Sequence, residues 1–210
     1  MNNKSEKPGL EAALETTEIF LDLANDSEVW TEVPVVGLAF KLLRTRDTVR
    51  EKLFAKKIHQ FLFEVNKLSN SDRDKIRAKS IESPEELERI GNTLLLVIEK
   101  VTDLEKPKLL GQLFIAYIDD IISDETLRRL VHCVDIAFID DLMALLGIKH
   151  VPHHLENLIS SGLSRPIGGA TLSNMGDIDY ETALLAHELC KAFFKINGTA
   201  KPDIQQLWFD

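Results

Sequence analysis

Hydrophobic positions recur at intervals of three and four along most of the chain, and only two short stretches near the C-terminus read as extended. Leu10, Leu14, Leu21 and Ala24 predict a first helix from about Gly9, stopped by Asn25, Asp26 and Ser27. Pro34 fits the start of a second, because its missing N–H would lack an intrahelical partner there anyway. From 35 to 68 the pattern is helical in two pieces: 35–43, and a segment from about Thr48. The second piece carries a broad apolar stripe of Val49, Leu53, Phe54, Ile58, Phe61, Leu62, Val65 and Leu68. Ser71 reads as the N-cap of a short helix to about Lys79. Ser83, Pro84, Glu85 and Glu86 form a start signal in which Ser83 caps, Pro84 takes the first helical position and Glu86 closes a capping box. The helix that follows, to about Val101, is apolar nearly all round at 94–98 and is expected to be central. Pro107 opens the next, where Leu109, Leu110, Leu113, Phe114, Tyr117, Ile118, Ile121 and Ile122 give an amphipathic signature. Ser123 is expected to cap a helix over 124–146 that Gly147 ends. The last two helices join with almost no loop and should form an antiparallel hairpin.

The texture changes after Gly147. A helix is predicted from Pro152 to Gly162, then a short extended piece at 163–167, a glycine-rich loop and a second short strand at Ile178, Asp179 and Tyr180. A final helix is expected to be capped by Thr182 and to carry Ala183, Leu184, His187 and Phe193. This order resembles the second half of a winged helix. The predicted fold class is therefore mainly α, with two parts. A helical bundle over 1–148 is followed by a small winged-helix-like unit over 149–210 that contains a short β-hairpin.

Composition fits one globular domain with a small appendage: 210 residues, 44% hydrophobic and 28% charged. The net charge of −9 opposes nonspecific binding to nucleic acid. That charge is unevenly spread. Residues 33–57 open with the apolar Val33, Pro34, Val35, Val36 and Gly37 and turn basic. Lys41, Arg44, Arg46, Arg50, Lys52, Lys56 and Lys57 against Asp47 and Glu51 leave +5 for 41–57, so the remainder carries −14. Residues 119–141 offer an internal counter-face. Asp119, Asp120, Asp124, Glu125, Asp135, Asp140 and Asp141 against Arg128 and Arg129 leave −5 there. Cys133 and Cys190 read as buried free thiols of a reducing compartment. The first 18 residues lack the apolar core of a signal peptide, and the uncharged apolar runs are about half of the ~20 residues a membrane span needs. The expected location is the cytoplasm.

Candidate chemistry is sparse. Asp119-Asp120 and Asp140-Asp141 are carboxylate pairs of the kind that hold divalent cations. Adjacent helical residues point about 100° apart, and an antiparallel hairpin would hold the two pairs on the order of 25 Å apart, so they read as solvated faces. His150, His153 and His154 are candidate metal ligands, but Pro152 falls between the two histidines spaced by four and disfavours a shared helix for them. His187-Glu188 begins like the HExxH zinc motif, but Lys191 stands where the second histidine is required. Gly168 and Gly169 are not followed by the Gly-Lys-Ser/Thr of a phosphate loop. No catalytic residue, cofactor or metal site is assigned. The helix from Pro152 to Gly162 holds no Lys or Arg, and 149–201 balance to zero, which argues against nucleic-acid recognition by the tail.

Three stretches together resemble a loose group of small bacterial helical proteins. They are Val33-Pro34-Val35-Val36-Gly37, the basic Leu53-Phe54-Ala55-Lys56-Lys57, and Leu109-Leu110-Gly111-Gln112-Leu113-Phe114-Ile115-Ala116-Tyr117. The layout is also similar to that of abortive-infection alpha-type proteins of phage defence. That resemblance implies a bacterial or phage origin and a defence role, and it carries no catalytic residues. The expectation is a non-enzymatic interaction or regulatory protein whose contact surface is Lys41, Arg44, Arg46, Arg50, Lys52, Lys56 and Lys57, or the winged-helix-like tail. Its partner would be a protein or a second copy, with peripheral contact to an anionic membrane as another use of the same charge. The alternatives are a nucleic-acid-binding regulator acting through the tail and a metal-dependent hydrolase using the histidine cluster.

Overall fold

The structure is a computed structural model that describes residues 49–65, 70–167 and 178–198. The helices expected before Thr48, and the tail after Gly198, lie outside the described residues. The chain is mainly helical, with one two-stranded antiparallel sheet near its C-terminal end. In order, the elements are α1 (Val49–Val65), α2 (Asn70–Glu82), α3 (Pro84–Lys100), α4 (Lys106–Ile118), α5 (Asp124–Ile136) and α6 (Ile139–Leu145). There follow a four-residue α7 (His154–Asn157), a 3-10 turn (Ile159–Ser161), β1 (Ser164–Ile167), β2 (Asp179–Thr182) and α8 (Leu184–Ile196).

The central element is α4, not α3. Along α4 every residue except Lys108 and Gln112 is buried, and α1, α2, α3, α5 and α8 all pack against it. Phe114 stacks obliquely on Phe61 of α1 and on Tyr117, with ring centroids 6.1 and 6.5 Å apart. By contrast, α3 buries one face through Leu87, Ile90, Leu94, Leu95 and Ile98 and leaves Leu96 68% exposed. The apolar run at 94–98 is thus wider than the surface its neighbours cover.

Ion pairs fix the directions of the helices. Arg89 meets Asp124 at 3.4 Å and Lys100 meets Asp135 at 2.5 Å, so α3 and α5 advance together and run parallel. Lys106, at the start of α4, donates to the Asp135 carbonyl near the end of α5 at 3.0 Å. The α4–α5 pair is therefore the antiparallel hairpin that its short connection predicts. Ser123 caps α5 as expected, its hydroxyl accepting from the Thr126 N–H at 3.2 Å.

Several boundaries differ from those read in the sequence. The segment 124–146 is two helices, because the chain turns extended at buried Ala137 and at Phe138 and restarts at Ile139. That bend brings Leu142, Leu145 and Leu146 onto the core, a tertiary gain that no local breaker announces. Ser71 lies inside α2, which starts at Asn70 and runs on to Glu82. Ser83 makes no side-chain cap, and Glu86 bonds the Tyr117 hydroxyl instead of closing a box. The helix expected over 152–162 is a turn, the short α7 and the 3-10 turn. Thr182 belongs to β2, and α8 is entered through Ala183 without a side-chain cap.

The hairpin pairs Ser164 with Thr182 and Ile167 with Asp179. It is tied to the helices by Ala183 N–H donating to the Leu163 carbonyl at 2.8 Å and by the Ser164 hydroxyl on the Leu155 carbonyl. Leu158, Leu163, Ala186, Leu189 and Cys190 join the same buried cluster as α1–α6, so the core is continuous across residue 148.

Candidate functional site

The basic stretch reaches the described residues in α1. Lys41, Arg44 and Arg46 lie outside them, and Arg50 and Lys52 stand on the first turns of the helix. Lys57 turns inward, its Nζ donating to the Glu99 carbonyl at 2.8 Å. It thereby satisfies one of the last carbonyls of α3, which no intrahelical N–H can reach. Lys56 is exposed.

At 100° per residue, Leu53, Lys56, His59, Gln60 and Phe63 share the face of α1 opposite Phe54, Ile58, Phe61 and Val65. Leu53 is 52% and Phe63 53% exposed, so a cation sits between two large apolar side chains on one outward surface. The His59 ring stacks on Phe63 with centroids 6.5 Å apart, and burial pushes its imidazole below the ordinary value. His59 is consequently an uncharged part of this face at neutral pH.

The acidic counter-face is matched elsewhere. Among the described residues, Asp119 pairs with Lys75 at 2.6 Å, Asp120 with Lys79 at 2.7 Å and Asp124 with Arg89 and Arg128. Glu125 pairs with Arg129, Asp135 with Lys100, and Asp140 with Lys149 at 2.8 Å. Asp141 is buried and accepts from Asn157 Nδ2 at 3.1 Å. None of these partners belongs to α1. Asp119-Asp120 and Asp140-Asp141 are therefore engaged separately, each by its own lysine or amide.

A polar cluster that sequence reasoning missed gathers at the C-terminal end of α4. The Tyr117 hydroxyl donates to Glu86 Oε1 at 2.6 Å, and Lys79 Nζ lies 4.7 Å above the Tyr117 ring on its way to Asp120. Burial and the Glu86 carboxylate together push the Tyr117 phenol well above its ordinary value. The available signal was Lys75 and Lys79, which sit four apart on α2 and so present two cations on one face. A second missed group is Glu64, buried between α1 and α4, where Gln112 Nε2 donates to its carboxylate at 3.2 Å.

The histidines do not assemble. His150 and His153 are exposed, His153 in a left-handed conformation at φ 59°, and His154 Nδ1 lies 3.0 Å from the Val151 carbonyl. Because α7 begins only at His154, His150 and His154 do not share a helix. Among the described residues no group of three His, Cys, Asp or Glu side chains is placed to hold a metal ion. On α8, His187 meets the Thr182 hydroxyl at 3.1 Å, Glu188 pairs with Lys191, and Cys190 is buried against the Leu145 carbonyl. Arg165, the cation of the hairpin, is held by its cross-strand partner Glu181 at 2.5 Å. Among the described residues no helix is long and apolar enough to cross a membrane.

Comparison of the chain with protein families, curated proteins and solved structures finds no match.

Proposed function

We propose that this protein is a non-enzymatic interaction protein of the bacterial cytoplasm that binds an acidic protein through the outer face of α1 and the basic stretch leading into it. The observation that carries this reading is the exposed Lys56 between Leu53 and Phe63, set against acids at 119–141 that are already engaged by other cations or, for Asp141, by the Asn157 amide. Apolar anchors interleaved with positive charge suit a protein surface. The anchors lose water on contact, and the charge steers an acidic partner into register. The resemblance in layout to abortive-infection proteins extends the proposal to a role in phage defence.

The nucleic-acid alternative draws no support from the tail. No Lys or Arg stands on α7, and Arg165 is committed to Glu181.

Charge reversal at Arg50→Glu, Lys52→Glu and Lys56→Glu tests the proposal, with circular dichroism as the check on folding. The wild type should retain a discrete protein from source-cell extract at low salt and release it near ~0.5 M salt, whereas the triple variant should retain none. Equal retention by the variant would refute the proposal. A salt-sensitive shift of duplex DNA by the wild type would favour the alternative.

A further inference from the structure

Helix α2 differs from the rest of the bundle in how it is held. Of its residues from 74 to 82, only Ile76 is buried, and Ile81 is 80% exposed. A helix of this length is marginal in water and depends on tertiary contacts. Among the described residues, Ile76 is its one buried apolar contact and the ionic ones are Lys75 to Asp119, Lys79 to Asp120, and Lys79 above the Tyr117 ring. Lys75, Ile76 and Lys79 fall within 100° of one another, so these three holding groups lie on one edge of the helix.

The acceptor end carries a second, independent sign. The α4–α5 turn is a Schellman motif, with Ile121 N–H on the Ala116 carbonyl at 2.9 Å and Asp120 N–H on the Tyr117 carbonyl at 3.1 Å. Its left-handed residue is Asp120, at φ 54°. The same motif closes α6, where Ile148 bonds Met143, Gly147 bonds Ala144, and the left-handed position is the usual glycine, Gly147 at φ 69°. At the α4 turn the left-handed position is held by an aspartate instead of glycine, and its carboxylate meets Lys79 at 2.7 Å.

We infer that α2 is an electrostatic strap, latched to the α4–α5 turn by the Lys75–Asp119 and Lys79–Asp120 pairs and able to open while the remainder of the core stays folded. Opening lifts Ile76 from its seat on α3 and α4 and frees Asp119, Asp120 and the Tyr117 ring together. The state of the strap is set by ionic strength or by any ligand that competes for the two carboxylates.

Hydrogen exchange on the full chain tests this. At 0.05 M salt the α2 amides should exchange at least ~10-fold faster than those of α4, as expected for a locally opening unit. Raising salt to about 1 M should accelerate α2 roughly fivefold while leaving α4 unchanged, the size expected for losing two partly exposed ion pairs. The double variant Lys75→Gln, Lys79→Gln should show the fast rate at low salt and no further salt response. Asp120→Asn keeps a residue tolerant of the left-handed region and removes only the charge, so it should accelerate α2 by about two- to threefold. Exchange of α2 at the rate of α4, or an α2 rate indifferent to salt in the wild type, would overturn the inference.

Discussion

Gly111 of α4 lies so close to α1 that a Cβ on it would stand 2.9 Å from the Phe61 carbonyl oxygen and 2.8 Å from the Glu64 Cβ. The obstacle is partly main chain, so it cannot be relieved by a rotamer change. Phe61, Glu64, Gly111 and Phe114 are thereby locked into one layer, and the buried Glu64 carboxylate is brought within reach of Gln112.

Gly111→Ala should therefore destabilise the protein even though alanine is the better helix former. Overpacking at such a contact costs about 1–3 kcal/mol, against about 1 kcal/mol of propensity regained. Urea unfolding should show a lowered midpoint with an unchanged slope. A midpoint at or above that of the wild type would mean that α1 and α4 separate easily.

Lys56 and Lys57 should separate in effect although they are neighbours. Lys57→Ala removes the donor to the Glu99 carbonyl at the end of α3 and should cost about 1 kcal/mol. Lys56→Ala touches an exposed side chain and should change stability by less than about 0.5 kcal/mol while weakening partner retention. Thermal melts of the two variants check the contrast.

Alkaline pH should loosen the core. The Tyr117 phenol is raised by burial and by the Glu86 carboxylate, and burial pushes the Cys133 thiol up to about 11. Both groups keep their protons in the folded chain at a pH where the unfolded chain has lost them. Stability is therefore full below about pH 9 and falls as pH rises through 9–11, first through Cys133 and then through Tyr117. Chemical denaturation between pH 8 and 11 should show this decline, and Tyr117→Phe should flatten its upper part. That variant should also cost about 1 kcal/mol at neutral pH through loss of the 2.6 Å bond to Glu86.

Helix positions were largely legible in the sequence, because Ile58, Phe61, Leu87, Leu94, Leu110 and Leu127 keep helical spacing and are buried as that spacing implies. Which helix is central was not. Leu94 to Ile98 looks more apolar than Leu109 to Tyr117, yet burial depends on how many neighbours surround an element, and Leu96 faces outward. The break at Ala137 was hidden for the same reason, since only the core it reaches favours it. Gly111 was visible in the Leu-Leu-Gly run, but its meaning required Phe61, fifty residues earlier. At the candidate surface, the basic stretch and the acidic hairpin were both legible from composition. Their separate pairing was not, because the cations that reach Asp119, Asp120 and Asp135 come from α2 and α3.

The proposed binding of another protein at the outer face of α1 can be read by site-specific photo-crosslinking. A crosslinking residue is placed at Lys56 on α1 or, as a control, at exposed Glu88 on α3, and each protein is irradiated in source-cell extract. A discrete protein adduct is expected at position 56 that disappears near ~0.5 M salt and has no counterpart at position 88. No adduct at 56, or the same adducts from both positions, would contradict it.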